Sequence, residues 1–294
     1  MDGDWLGGEV GDFLRSRRAR IQPEEVGLPG HGRRRVPDLR REEVAQLAGV
    51  SVDYYIRLEQ GRGTGGTSRT KSGGVSDAVL DAVARVLRLD ETKQAYLRTV
   101  ARPRRQRGRR QRSEAPRVRP GIQILLDGMD RSPAFVLNPR MDVLAWNALG
   151  DALNGFSRVT AAERNIPRQV FLASTGRDVY PEWHAVAAQT VAHLRVNAGR
   201  YGDDPELCAL VGELSLKSED FRRMWADHEV RECAYGVKKV RHPVAGLLTL
   251  PFETLTIPAA PDQVIVVYTP EPGSETAERL ALLGSWKATT ATTN

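Results

Sequence analysis

Arg40-Arg-Glu-Glu-Val-Ala-Gln-Leu-Ala-Gly-Val-Ser-Val-Asp-Tyr-Tyr-Ile-Arg-Leu-Glu-Gln-Gly61 decides how the N-terminal half is read. Two short amphipathic helices joined by a Gly-Val-Ser turn account for its positions. Val44 and Leu47 line the apolar side of the first helix, and Tyr55 and Leu58, three residues apart, that of the second. Ala45 stands where the helices cross, a place that admits only a small side chain. Gly49 supplies the left-handed residue that ends the first helix, Val50 plugs the turn, and Ser51 caps the second helix through its hydroxyl. The pattern predicts a helix-turn-helix over residues 40–61. Its second helix would carry Val52, Asp53, Tyr54, Ile56 and Arg57 on the opposite face.

A recognition helix enters the major groove of duplex DNA N-terminus first. Ser51, Val52, Asp53 and Tyr54 would then lie nearest the base edges. Arg57, one turn on, could donate two hydrogen bonds to guanine O6 and N7. Arg33, Arg34, Arg35, Arg40, Arg41 and Arg62 surround the motif and are candidate phosphate contacts, with Arg69 and Lys71 beyond them. A plain helical hairpin in a bundle would show similar spacing; the basic flanks favour the DNA-binding reading.

Charge is distributed in the same sense. The net +6 of the 294 residues divides into +10 over residues 1–120 and −4 over the remainder, so a polyanion is expected at the N-terminal half only. Outward from the motif, apolar residues at helical spacing mark further helices near Phe13 and Leu14, over Val79–Leu87 and over Tyr96–Val100. A Gly-rich loop at 63–74 interrupts them. Residues 102–120 hold nine Arg, three Pro and a single large aliphatic, Val118, and so read as an extended basic tether, either a solvated spacer or one whose arginines also touch DNA phosphates. The expected organisation is an all-α domain at 1–101, a linker at 102–120 and a second domain at 121–294.

The second domain changes period. Ala134–Asn138 and Val143–Asn147 are strand-like runs about a tight turn, and helices are expected over Glu182–Ala198, Pro205–Ser215 and Ser218–Asp227. Strands follow at Tyr235–Val240, Leu247–Phe252 and Val264–Tyr268, the last rich in β-branched residues and expected centrally. A closing helix, Thr276–Trp286, would bury Leu280, Leu282 and Leu283. The class is α+β, helices stacked on an antiparallel sheet.

Motifs in both halves resemble one family. In the first half they are Leu14-Arg-Ser-Arg-Arg, Val26-Gly-Leu-Pro, Gly32-Arg-Arg-Arg and the stretch Leu39–Gly61. In the second they are Leu144-Ala-Trp-Asn147, Glu163-Arg-Asn165, Asp203-Asp-Pro-Glu206, Phe221-Arg-Arg-Met-Trp225, His228, Val230, His242-Pro243 and Tyr268-Thr-Pro-Glu-Pro-Gly273. The N-terminal portion resembles lambda-repressor-like (XRE) helix-turn-helix domains, and the whole chain resembles the MmyB-type regulators. That resemblance implies a transcription regulator with a PAS-like C-terminal domain that binds a fatty acid or similar acyl ligand. Asp38 stands where the family usually has glycine, and the 63–74 loop is longer than its pattern. Independently, Phe135, Trp146, Phe171, Trp183, Phe221, Trp225, Tyr235 and Tyr268 form an aromatic set that could line a pocket or simply fill a core. Asn147 and His228, inside the resembling motifs, join them as candidate ligand-binding residues.

Other chemistry finds little support. Cys208 and Cys233 sit in no C-x-x-C or Cys/His cluster, so neither a disulfide framework nor a zinc site is expected, and no cofactor is expected beyond the acyl ligand. No P-loop, H-E-x-x-H or G-x-S-x-G occurs. His184 and His193, nine residues apart on one helix, point oppositely, and His228 and His242 read as structural, so no enzyme activity is expected. No apolar run is long enough to span a membrane and no signal peptide is evident; a cytoplasmic homodimer is expected, with duplex DNA as partner. Two accounts of the C-terminal domain stay open: a ligand sensor, or a dimerisation and interaction module whose pocket is filled by its own side chains.

Overall fold

The chain divides into two units, one of Met1–Arg110 with Asp227–Arg231 and another of Gln111–Ala226 with Glu232–Asn294. The computed structural model describes residues 5–29, 36–61, 75–101, 117–202, 204–230 and 234–292. Arg33, Arg34, Arg35, Arg62, Arg69, Lys71, Cys233, the 63–74 loop and residues 102–116 of the expected linker lie outside them.

The N-terminal unit is helical, with α1 (Trp5–Arg18), α2 (Arg41–Ala48), α3 (Val52–Glu59), α4 (Asp77–Val86) and α5 (Glu91–Ala101). Phe13, Leu14, Val44, Ala45, Tyr55, Leu58, Leu80, Val83 and Leu97 are buried in its core. The turn from α2 to α3 has the expected chemistry. Gly49 adopts φ +69° and ends α2, and the Ser51 hydroxyl accepts the Tyr54 N–H at 3.2 Å. Leu47 departs from expectation at 39% exposed, because Val44 and Ala45 already fill the contact that α2 makes with α3 and α4.

Glu59 ties three of these helices together. Its carboxylate is 1% exposed and accepts from Arg18 Nε at 3.2 Å and from Arg41, while the Arg18 guanidinium also donates to the Leu39 carbonyl at 2.7 Å. Arg41, expected at DNA phosphates, spends its Nε on this ion pair while its side chain stays 42% exposed. Gly11 completes the junction, since a Cβ there would run into the Glu59 carbonyl oxygen as α1 crosses the end of α3.

In the C-terminal unit the order is α6 (Pro120–Asp127), β1 (Ala134–Leu137), β2 (Val143–Trp146), α7 (Ala148–Asn154), α8 (Ile166–Phe171), α9 (Gly176–Val179), α10 (Trp183–Tyr201), α11 (Pro205–Lys217), α12 (Glu219–Ala226), β3 (Tyr235–His242), β4 (Gly246–Thr256), β5 (Val264–Tyr268) and α13 (Glu275–Thr292). The strands form one antiparallel sheet in the order β2-β1-β5-β4-β3, which puts β5 at the centre as its β-branched run predicts. On the inner face Phe135, Leu137, Leu248, Leu250, Phe252, Val266 and Tyr268 pack with Leu149, Leu153, Val186, Leu280 and Leu283 of α7, α10 and α13. The outer face of β1, β2 and β5 is covered by Leu126 of α6, a helix that begins inside the expected linker. Leu282, expected in the buried side of the closing helix, is 72% exposed; Leu280 and Leu283, three apart, turn inward without it.

Buried polar side chains brace this frame. The Asn147 amide oxygen accepts from the N–H groups of Ala134 (3.0 Å) and Gly150 (2.7 Å), and its nitrogen donates to the carbonyls of Met129 (2.7 Å) and Ser132 (2.8 Å). Arg140 reaches Asp142 at 2.9 Å, Asp204 at 3.1 Å and Glu206 at 2.7 Å, joining the β1–β2 turn to the start of α11. Among the described residues no helix is long and apolar enough to cross a membrane.

Glu59→Ala removes the buried carboxylate and leaves Arg18, 15% exposed, and Arg41, 42% exposed, to be solvated in part. It is expected to destabilise the N-terminal unit by about 2 kcal/mol in urea denaturation followed by a probe in that unit. A loss below about 1 kcal/mol would remove Glu59 from its organising role.

Candidate functional site

Alternation along the strands and spacing along α10 bring a polar set to the inside of the sheet. Phe135 and Leu137 of β1, Lys238 of β3, Phe252 and Thr254 of β4, and Val264, Val266 and Tyr268 of β5 all face one way, and Gln189, Thr190 and His193 of α10 meet them. They surround a cavity of about 50 Å³, space for one or two waters or one small polar group. The Gln189 Oε1 atom is buried without a hydrogen-bond partner. Lys238 Nζ sits 4.9 Å from the centre of the Phe252 ring.

Protonation in this cavity is set by burial. His193 keeps some open surface, yet protein surrounds it, so that surface faces the cavity. Burial first, then the positive charges of Lys238 and Arg200, lower its pKa from 6.5 to about 4. The imidazole is neutral at physiological pH. Burial likewise raises the phenols of Tyr180 and Tyr268, with Tyr180 adding to the effect on Tyr268, so both remain donors.

Asn154 and Tyr180 line this cavity and also a larger cleft of about 770 Å³, so the two are neighbours across these side chains. The cleft lies within the size range of small-molecule sites. Leu153, Val159, Leu172, Val179 and Val240 supply apolar wall. Its charges are mostly spent inside the protein. Arg168 donates to Glu213 at 3.0 and 2.8 Å, and Glu163 caps Thr160. His242 Nδ1 accepts from the N–H groups of Val244 (3.2 Å) and Ala245 (3.0 Å), and its pKa is lowered chiefly by burial, opposed by a bond to the Ala152 backbone. Arg158, exposed at the cleft, has no ion pair among the described residues.

Of the ten candidate ligand residues Phe135 and Tyr268 line the small cavity, none lines the larger cleft, and Tyr235 is exposed on β3. Trp146 packs on Phe156 and under Arg164, whose guanidinium is 5.0 Å from its ring. Phe171, Trp183, Phe221 and Trp225 form a column, with successive contacts Trp183–Phe171 (5.8 Å), Phe171–Phe221 (5.1 Å) and Phe221–Trp225 (5.5 Å), that welds α8, α10 and α12 together. The Asn147 amide has used all four of its hydrogen bonds on the frame. His228, at φ +50°, belongs to the Asp227–Arg231 segment of the other unit. Gln189, His193, Lys238 and Thr254 were not selected from the sequence, although period two on β3 and β4 and the i, i+4 pair on α10 place them together.

In the N-terminal unit, Ser51, Val52, Asp53 and Arg57 are exposed and Tyr54 and Ile56 half-buried, so α3 presents outward the side chains expected at base edges. The Arg57 guanidinium rests 5.9 Å from the Tyr54 ring centre. Arg40 is half-buried and its backbone N–H donates to Glu43 at 2.7 Å.

His193 generates a pH dependence with a definite sign. Between pH 6.5 and about 4 the unfolded chain binds a proton there that the folded chain refuses, so stability is full above 6.5 and falls as pH drops. The loss at pH 4 is at most about 3 kcal/mol. Comparing His193→Gln with the parent, the variant is expected to lose less stability between pH 7 and about pH 4.5; identical pH slopes would contradict the buried neutral imidazole.

No curated protein matches the chain. Residues 118–283 match the family model of the MmyB-like transcription regulator ligand binding domain, and both cavities fall inside that span. As the match covers more than half of its residues, the chain belongs to the MmyB-like transcription regulator family, and its sheet-bearing unit is the ligand-binding domain.

Proposed function

We propose that this protein is a DNA-binding, non-enzymatic transcription regulator of the XRE class whose hold on duplex DNA responds to a fatty-acid-like ligand in a PAS-like C-terminal domain. The observation that carries the ligand reading is the junction at Asn154 and Tyr180 between an apolar cleft of about 770 Å³ and a small polar cavity. An acyl chain lies along Leu153, Leu172, Val179 and Val240, and its carboxyl end passes Tyr180 toward Lys238 and His193. A carboxylate only accepts hydrogen bonds, so its partners there are the donors Lys238, Tyr180 and the neutral His193, while the unpaired Gln189 Oε1 calls for a water beside it. A cleft of this size also favours the sensor over a module filled by its own side chains.

The outward face of α3 supports the DNA reading: α2, the Gly49 turn and α3 fit a helix-turn-helix, with Ser51 to Tyr54 at the base edges and Arg57 reading guanine. Arg33, Arg34, Arg35, Arg40, Arg41 and Arg62 are the proposed phosphate contacts. Ligand and DNA then communicate by a coupling energy, about 1–3 kcal/mol in regulators of this kind.

Two measurements test the two halves separately. Lys238→Met keeps the aliphatic stem and removes the charge; it is expected to weaken binding of a long-chain fatty acid about tenfold or more while leaving its methyl ester unaffected. Equal affinity of parent and variant for the free acid would overturn the proposed orientation. In DNA titrations Arg57→Ala is expected to cost about 1–3 kcal/mol on the specific operator and little on random sequence. Equal losses on every sequence would reassign Arg57 to the phosphates.

A further inference from the structure

We propose that the outer face of the β3–β4 hairpin is where two copies of this chain associate about a two-fold axis, independently of the ligand. The outer face of β1, β2 and β5 lies under Leu126 of α6. On β3 and β4 the same face carries Tyr235 and Val237, paired in register with Glu253 and Pro251, and Leu247, paired with Arg241. Tyr235 is 75% exposed, Val237 52%, Leu247 49% and the adjoining Leu255 48%. Four large apolar side chains exposed together on one face of a hairpin are unusual for a surface that meets only water.

The charges on this face say what covers it. Lys239, in the middle and in register with Thr249, pairs with Glu182 at 2.7 Å, so its charge is matched within the chain. Arg241 stands at the hairpin end and Glu253 at the opposite end; both are exposed and neither has an ion pair among the described residues. Glu253 is in register with Tyr235, six residues along β3 from Arg241, a separation of about 20 Å, so the two cannot meet within one chain. A second copy turned about an axis that crosses the strands between the Val237 and Lys239 rows lays its Arg241 on the Tyr235–Glu253 row of the first. Symmetry makes that contact twice, with Val237 and Pro251 beside the axis and Leu247 next to each Arg241. A surface whose two unmatched charges are matched by its own copy fits self-association better than an unrelated partner.

The test is the mass of the full chain in solution without DNA, by light scattering or sedimentation across a concentration series. The parent is expected to be a dimer at micromolar concentration, and Val237→Glu with Leu247→Glu to be monomeric. Arg241→Glu and Glu253→Arg, each on the surface, should each weaken the dimer about tenfold or more, and the two together should restore it to within about threefold of the parent. Because Arg241 also borders the ligand cleft, the readout is mass and not ligand affinity. A monomeric parent, a dimer that survives Val237→Glu with Leu247→Glu, or a double charge swap that does not rescue would each overturn the proposal.

Discussion

Alternation of side chains across the sheet is the constraint on which the rest of the C-terminal unit depends. Successive residues of a strand point to opposite faces, so one sequence must furnish two surfaces with different duties. On β1, Phe135 and Leu137 enter the inner core while Ala134 and Val136 meet α6. On β4, Leu248, Leu250 and Phe252 close the core, and Thr254 of the same parity brings a hydroxyl to the cavity. The residues between them, Leu247, Thr249, Pro251, Glu253 and Leu255, never enter the interior. A slip of one residue would exchange the two sets. The bracing by Asn147, which fixes the start of β1 against α7, and by Arg140 at the β1–β2 turn guards against that slip where the strands are only four residues long.

A comparable economy holds in the N-terminal unit, where helices of eight residues are too short to stand without tertiary contacts. Glu59 supplies a fixed point at the end of α3 to which α1 and α2 are both bonded. Its burial explains why α3 can leave an entire side exposed: the anchor lies at the helix end and the apolar pair Tyr55 and Leu58 on one flank, so Val52, Asp53 and Arg57 need make no internal contact.

Much of this was legible from residue patterns, for identifiable reasons. The Gly49 turn, the Ser51 cap and the central place of β5 each follow from local chemistry, which short sequence windows contain. What escaped depends on partners distant in sequence. α6 is a single eight-residue helix behind an Arg- and Pro-rich stretch, and only the sheet face it covers identifies it. Arg41 looks like any basic residue beside a DNA-binding motif until Glu59, eighteen residues on, is found beside it. The aromatic residues are ambiguous in sequence because their size suits either a pocket or a core: Phe135 and Tyr268 line the cavity, whereas Phe171, Trp183, Phe221 and Trp225 pack on one another. Trp183, whose indole N–H donates to the Val170 carbonyl at 2.9 Å, shows the core assignment with its polar atom satisfied internally.

The polar lining of the cavity bears on why the interior is built as it is. Thr190 turns its hydroxyl proton to the Val186 carbonyl at 2.8 Å, satisfying itself within α10. Gln189, one residue earlier, leaves Oε1 unmatched in the space beyond, and His193, one turn later, gives up its charge to remain there. Both features lower stability, by the unmade hydrogen bond and by the proton refused on acidification. A leucine or methionine, close in volume to either side chain, would carry neither cost. Stability alone therefore does not account for glutamine and histidine at these positions. A polar occupant of the cavity would, a water donating to Gln189 and a ligand's acceptor meeting the neighbouring donors, because its binding would recover what folding left unspent.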